Sequence, residues 1–302
     1  MSAPAPATTA PPLTAIILTF NSAHSVGLVI AALRGLATRI LVVDSFSTDT
    51  TVAVVTALGC EVVQHPFEHY AAQRNWAQAH AGLAGDAWVL HLDADEVVSP
   101  ELAVSIRAAL AAPRASGYLM RRVSNFLGQP IRWGLTNPGW HLRLYRAAHG
   151  RCEDRLYDQH FILDQPAARL SGILADLQLI SIERWITAHN RWSTAEAEQI
   201  WAEGKAAAGA EDGTLQGSLT GDPRMRKRWM KNRLYYRLPG LLRAIGIFFY
   251  GYFIRLGFLD GRIGLIYHVQ QTLWFRFTVD AKLFELELEE RRRHAAVKEP
   301  PV

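Results

Sequence analysis

Residues 87–102 read AWVLHLDADEVVSPEL. Ala87 to His91 is a short, mostly apolar run, suited to a strand buried on both faces. It runs on into Asp93-Ala94-Asp95-Glu96, and Ser99-Pro100-Glu101 then has the pattern of a helix start. Serine fits the N-cap, proline the first turn, and an acid next to it suits the positive end of the helix dipole. Strand, acidic loop and helix in quick succession form the repeating unit of an α/β sheet. Three carboxylates in four positions repel one another unless something positive sits among them.

The same unit recurs upstream. LTAIILTF, Leu13 to Phe20, reads as a buried strand ended by Asn21-Ser22, and Ser25 to Leu36 has helical spacing. RILVV, Arg39 to Val43, is a second strand and stops at Asp44. Ser45 to Asp49 then opens a helix that runs to Leu58 and is stopped by Gly59. Cys60 to Gln64 reads as a third strand and Tyr70 to His80 as a third helix. Strand–helix alternation with short connections predicts a parallel, doubly wound sheet.

After about residue 115 the pattern changes. Gly117 to Asn125, Ile131 to Trp133 and Trp140 to Tyr145 read as strands without long helices between them, so a mixed or antiparallel part of the sheet is expected. Leu170 to Leu179 adds a strand-like piece, and Ile182 to Ala208 reads as a long helix carrying Trp185, Trp192 and Trp201. The expected organisation is a lead at 1–12, an α/β domain at 13–208, a Gly-rich linker at 209–222 and a helical region at 223–302.

A chain of 302 residues can bury a sizeable core. Cys60 and Cys152 are far apart, lack metal-ligand spacing and read as reduced thiols. MSAPAPATTAPP at the start has no positive n-region and reads as a disordered lead. No run reaches 18 uninterrupted apolar residues, so no full transmembrane helix is expected.

In an open parallel sheet, ligands sit beyond the carboxyl ends of the strands. Asp44 and Asp93 both follow apolar strands. An Asp-x-Asp spacing in a loop lets carboxylates reach one hard divalent cation, whose other ligands are waters and phosphate oxygens. The cluster therefore points to Mg2+ or Mn2+ held beside a diphosphate. A solvated acidic turn before a helix is the plainer alternative. DADEV also fits the Asp-x-Asp motif of a class of phosphatases, but there the nucleophile sits on the first strand, and here three strand–helix units precede it.

Four ordered motifs, TAIILTFNSAHSV, ILVVDSFSTDTT, YAAQRNWA and WVLHLDADEVVSPEL, resemble family 2 inverting glycosyltransferases of the GT-A fold. The subgroup they resemble most extends lipopolysaccharide-core and exopolysaccharide chains in bacteria. The similarity covers roughly Leu13 to Trp192. It implies that Thr19, Phe20 and Asn21 follow the first strand where the family holds base and ribose, that Asp44 binds base or ribose, and that Ser45 to Asp49 complete that loop. The common glycine of the family's Asp-x-Gly-Ser-Thr-Asp pattern is Phe46 here. Gln73, Arg74 and Asn75 match the segment reaching the donor. Asp95 is implied as a metal ligand, and Asp93 as a second ligand or a contact to ribose or sugar. The donor implied is a nucleotide sugar, UDP-linked by preference.

An inverting transfer is a single displacement that needs a general base on the acceptor side. GRCEDRLYDQHFILD, Gly150 to Asp164, supplies Asp158, Glu153 and Asp154 as candidates, with Asp158 favoured. The family's usual His-Glu pair is absent here. Trp140, His141, His160 and Arg191 are candidates for donor or acceptor contacts, since aromatic faces stack on sugars and Arg or His meets phosphate.

Pro223 to Arg237 carries seven basic residues and no acid, and an aromatic-rich apolar stretch, Leu238 to Leu259, follows, broken by Arg243 and Arg255. This pattern suits an anionic membrane surface. It agrees with the implied lipid-linked saccharide acceptor at the cytoplasmic face of the inner membrane. A buried helical pair or a homo-oligomer contact is the other reading. No nucleic-acid-binding motif accompanies the basic run. A phosphatase and a non-catalytic membrane-associated protein remain the alternatives to a transferase.

Overall fold

The structure, a computed structural model, describes residues 12–83, 85–135, 139–155, 158–205, 214–233, 235 and 238–298. The expected lead, apart from Pro12, lies outside the described residues, as do 206–213 of the expected helix end and linker, and Arg237. The chain forms two compact units: Met1–Pro130 with Asn137–Asp154 and His160–Leu179, and Ile131–Thr136 with Arg155–Gln159 and Ile180–Val302.

The first unit runs β1 (Leu13–Thr19), α1 (Val26–Leu33), β2 (Arg39–Asp44), α2 (Thr51–Ala57), β3 (Glu61–Gln64), α3 (Tyr70–His80), β4 (Trp88–Asp93), β5 (Glu96–Val98), α4 (Pro100–Ala111), β6 (Gly117–Phe126), β7 (Gln129–Pro130), β8 (Gly139–Arg146), β9 (Gly150–Cys152), β10 (Phe161–Leu163) and β11 (Ala168–Gln178). Nine strands form one sheet in the order β3-β2-β1-β4-β8-β6-β11-β5, with β7 beside β6. β3, β2, β1, β4, β6 and β11 run one way, while β8, β5 and β7 run the other. This is the mixed, mainly parallel α/β sheet that the sequence predicts, with β8 as its antiparallel insertion. β9 and β10 form a separate hairpin.

Every residue of β1 is buried, because both faces of the sheet are covered. Leu13, Ala15 and Ile17 pack with Val42, Trp88 and Leu90 on one face, and Ile16 and Leu18 pack with Leu41, Val43 and Val89 on the other. The alternation follows from the two-residue period of a strand. The chain proceeds outward from β1 through β2 to β3, then returns to place β4 on β1's other side. That reversal makes the carboxyl ends of β1, β2 and β4 a topological switch point, where open α/β sheets bind ligands.

Ser99 caps α4 as its sequence predicts, with its Oγ accepting from Leu102 N (3.2 Å) and also from Ile173 N of β11 (3.2 Å). The stretch Glu96–Val98, expected as loop, is a short strand antiparallel to β11. The expected strand Ile131–Trp133 is not one. Its amides are satisfied within the second unit: Arg132 N and Trp133 N donate to the Asp260 carboxylate (3.0 and 2.9 Å), and Gly134 N to Arg255 O (3.0 Å). The Asp260 carboxylate, at the end of a 3-10 turn before the helix that starts at Gly261, replaces part of the ladder that a strand would need.

The second unit is helical: α5 (Ile182–Lys205), α6 (Pro223–Arg233), α7 (Leu242–Phe249), α8 (Gly261–His268) and α9 (Phe275–Lys298). α7 continues as a π-helical turn through Ile254, and α8 joins α9 through another at Val269–Trp274. α5 and α9 pack around Ala197, Phe275 and Val279. The apparently misplaced Arg243 turns inward, where its Nε donates to Asp280 Oδ1 (2.8 Å). Leu242, Ile245, Phe249 and Phe253 recur at helical spacing and are exposed, at 63, 44, 53 and 49%. Among the described residues no single helix is long and apolar enough to cross a membrane. Leu242–Ile254 and Gly257–Ala295 pass that test only together, bent by 72°.

Candidate functional site

β1 and β2 end side by side, with Thr19 paired to Asp44. Asp44 is fully buried, and its carboxylate accepts from Thr19 Oγ1 (2.9 Å), Ser47 N (2.8 Å), Ser47 Oγ and Gln64 Nε2 (3.3 Å). Four donors fill the acceptor capacity of a carboxylate. Asp44 thus holds the loop that follows it, and a ligand hydroxyl reaching it has to displace a protein donor. Asn21 does the same from the other strand end: its Oδ1 accepts from Thr48 N (2.8 Å) and Asp49 N (3.3 Å). Its own amide donates to Ser47 Oγ (2.8 Å). Gln73, on α3, donates to Ser45 Oγ (3.2 Å) and His65 O (3.3 Å). Thr19, Asn21, Asp44, Ser45 and Gln73 are therefore one hydrogen-bonded cluster, while Phe20 is left exposed at its edge, at 57%.

Asp93 lies on the opposite side of β1, paired with Leu18. Its two oxygens meet two arginines: Arg74 Nη2 donates to Oδ1 (2.7 Å) and Arg143 Nη2 to Oδ2 (2.8 Å). Arg143 also reaches Glu96 Oε1 (2.6 Å), and Arg122 joins Glu96 Oε1 (2.9 Å) to Asp176 Oδ2 (2.8 Å). Glu96 is wholly buried and returns its Oε2 to Asp93 N (3.1 Å). The positive partner of the acidic run is thus a set of three arginines from α3, β6 and β8. Burial alone disfavours the ionised form of Asp93, but Arg74 and Arg143 outweigh it and hold the carboxyl well below its ordinary range.

Asp95 differs. It is half-buried, and its carboxylate has no hydrogen-bond or ion-pair partner among the described residues. Burial first, then the charges of Asp176 and Asp93, push its carboxyl well above the ordinary range. Its backbone is fixed, since Asp95 O accepts from Leu177 N (2.8 Å). A held but unpaired carboxylate beside saturated ones fits a hard cation that takes its other ligands from phosphate and water. No group of three or more His, Cys, Asp or Glu side chains suited to a metal exists among the described residues.

The three candidate bases have separate surroundings. Glu153 is wholly buried and its Oε1 accepts from His160 N (2.8 Å), with His160 Nδ1 at 3.2 Å. The Asp154 side chain is 81% exposed, with His69 Nε2 at 3.6 Å. Asp158 belongs to the second unit, where Lys231 Nζ donates to its Oδ2 (2.9 Å) and to Glu196 (2.8 Å). Trp140 and His141 lie on β8, with Arg169 stacked over the Trp140 ring at 4.9 Å. Arg191 is exposed on α5 in the second unit.

Arg122, Arg143 and Asp176 escaped the sequence reading. A signal for them exists: each is a charge flanked by apolar residues within a strand, in LMRRV, HLRLY and LADLQ. Charges in such places are rarely buried unless paired.

The glycosyl transferase family 2 profile matches residues 14–166. An uncharacterized glycosyltransferase of Rickettsia bellii is 33% identical over 149 residues, 49% of this chain and 47% of its own. One from Rickettsia felis is 33% identical over 111 residues, 37% of this chain and 38% of its own. The chain thus spans less than half the length of these curated relatives. Among solved structures, glucosyl-3-phosphoglycerate synthase from Mycobacterium tuberculosis with Mn2+, UDP and phosphoglyceric acid is 20% identical. It covers 38% of this chain and 44% of its own at a TM-score of 0.32. S. aureus TarS 1-349 is 12% identical, covers 91% of both chains and has a TM-score of 0.39. The profile match runs from the second residue of β1 through β10 and takes in the Asp44 loop, the arginine-bound Asp93 and Asp95, which sets the phosphatase alternative aside. The chain belongs to glycosyl transferase family 2.

Proposed function

We propose that the chain transfers a sugar, with inversion, from a UDP-linked donor to a lipid-linked saccharide or lipopolysaccharide-core acceptor. The reaction would serve envelope or exopolysaccharide synthesis. The observation that carries this reading is Asp95: a carboxylate at the switch point, fixed by its backbone, with no hydrogen-bond or ion-pair partner among the described residues. Asp95 would hold Mg2+ or Mn2+, with Asp93 beside it. Such a cation, when bound, neutralises charge building on the departing diphosphate. Arg74 and Arg143 keep Asp93 ionised and oriented, and the pinned Asp44 loop shapes the nucleoside side.

On the acceptor side Asp154 carries the proton. Its carboxylate is the open one of the three candidates, 81% exposed, with His69 Nε2 at 3.6 Å. The acceptor hydroxyl attacks the anomeric carbon as its proton passes to Asp154, and the nucleoside diphosphate leaves from the opposite face.

The second unit supports action at the cytoplasmic face of the inner membrane. Leu242, Ile245, Phe249, Phe253 and Ile254 form an exposed apolar face. Arg226, Lys227, Arg233, Arg255 and Arg262 in the same unit are exposed cations. An apolar face with cations on the same unit matches an anionic bilayer surface. A second copy of the chain is the competing occupant.

The test is transfer itself. Purified protein with Mn2+ is given UDP-glucose, UDP-galactose or UDP-N-acetylglucosamine and rough lipopolysaccharide. Release of UDP that depends on the acceptor, with a product of inverted anomeric configuration, is the expected result. Retention of configuration would reject the single displacement.

A further inference from the structure

Phe46 has a backbone φ of +57°, in the left-handed region that a bulky side chain rarely occupies. The conformation is imposed from both sides. Ser45 N donates to Thr19 O (2.9 Å), while Ser47 is tied through its amide and hydroxyl to Asp44 and receives the Asn21 amide. Glycine would adopt this backbone without strain. Phenylalanine stands there instead, 53% exposed as a residue. Strain kept at a position where neighbours over-determine the backbone is a pointer to function. The exposed ring adds nothing to the core, so the fold does not explain it.

A second exposed ring stands nearby in the topology. Thr19 and Asp44 are partners across β1 and β2, so Phe20 and Phe46 follow neighbouring strand ends at the switch point. Neither ring contacts another aromatic ring among the described residues. Flat apolar faces without a stacking partner suit a flat π-faced ligand, and the diphosphate-bearing ligand class for this crevice has one in its nucleobase.

We infer that Phe46 is a nucleobase-stacking, affinity-determining residue for the donor, held over the crevice by its left-handed backbone. This rests on the nucleotide-sugar reading above. Stacking on a base face is tolerant of base identity, so Phe46 sets how tightly the nucleoside is held more than which base is chosen.

The test uses the full chain and calorimetry in Mn2+ with two probes, UDP and inorganic pyrophosphate, which lacks the base. Phe46→Gly is expected to weaken UDP by about tenfold and leave pyrophosphate unchanged, while its melting temperature holds or rises as strain is relieved. Phe46→Trp is expected to bind UDP at least as tightly as the parent. UDP binding unchanged in Phe46→Gly overturns the inference, and so does an equal loss of UDP and pyrophosphate, which would make Phe46 part of the loop's scaffold. If the parent chain binds neither probe, the donor reading fails as well. If the parent binds both and Phe46→Gly does too, only the stacking role is lost.

Discussion

Arg143 Nη2 lies 2.6 Å from Glu96 Oε1, with both side chains almost wholly withdrawn from water. The pair ties β8 to the start of β5, and so fixes the turn from Asp93 to Glu96 that carries Asp95. Removing Arg143 leaves Glu96 to Arg122 and Asp93 to Arg74, so what is lost is bonds to charged groups, at about 1.5–3 kcal/mol. Arg143→Met is therefore expected to lower unfolding free energy by that order in equilibrium urea denaturation. A loss below about 1 kcal/mol would show that the pair does not fix the loop.

Asp93 and Asp95 stand two residues apart and should respond oppositely. Asp93 carries two arginine bonds, so Asp93→Asn is expected to destabilise by about 2–3 kcal/mol. Asp95 has no hydrogen-bond or ion-pair partner to lose among the described residues, and its neutral analogue relieves repulsion from Asp176 and Asp93. Asp95→Asn should leave the melting temperature unchanged or raise it. A large fall in that variant would mean that the carboxylate has a structural role.

His189 provides a pH signature in the second unit. Its ring stacks on Trp185 at 3.4 Å and abuts Phe275, and burial lowers its pKa to about 4 despite bonds to Trp185 O and Gln271. The unfolded chain takes up a proton near pH 6.5, whereas the native chain does not until near pH 4. Stability from this group is therefore complete above about pH 6.5 and declines as pH falls towards 4. Between pH 7 and pH 5 the decline is about 2 kcal/mol. Urea titrations across that window should show a shallower slope in His189→Gln. Equal slopes would mean that the histidine is charged in the folded state.

The apolar face of α7 and its π-helical turn predicts vesicle binding. The parent chain should sediment with phosphatidylglycerol vesicles, less so as salt rises. Phe249→Glu with Phe253→Glu should abolish the part that salt leaves behind. If the double variant sediments like the parent but loses self-association in ultracentrifugation, the face belongs to a second copy of the chain.

Much of this was legible in the sequence because hydrophobic period and loop chemistry are local. The strands at Leu13, Arg39 and Trp88, the Ser99 cap and the acidic loop could all be read residue by residue. What stayed hidden was non-local. The partners of Glu96 are Arg122 and Arg143, on strands whose placement beside β4 and β11 no local pattern specifies. The Ile131–Trp133 stretch has strand composition, but its amides find Asp260, more than a hundred residues away in the chain. The clustered carboxylates suggested a cation, and the structure divides them. Arginines pair with Asp93 and Glu96, and the Asp95 carboxylate has no such partner among the described residues.

That division is tested most directly by calorimetric titration of the chain with UDP, in Mn2+ and in EDTA, for the parent and for Asp95→Asn. The account predicts binding by the parent that requires Mn2+ and is lost in Asp95→Asn, while that variant remains folded. Metal-dependent UDP binding of equal strength in folded Asp95→Asn, or no UDP binding by the parent at all, would contradict it.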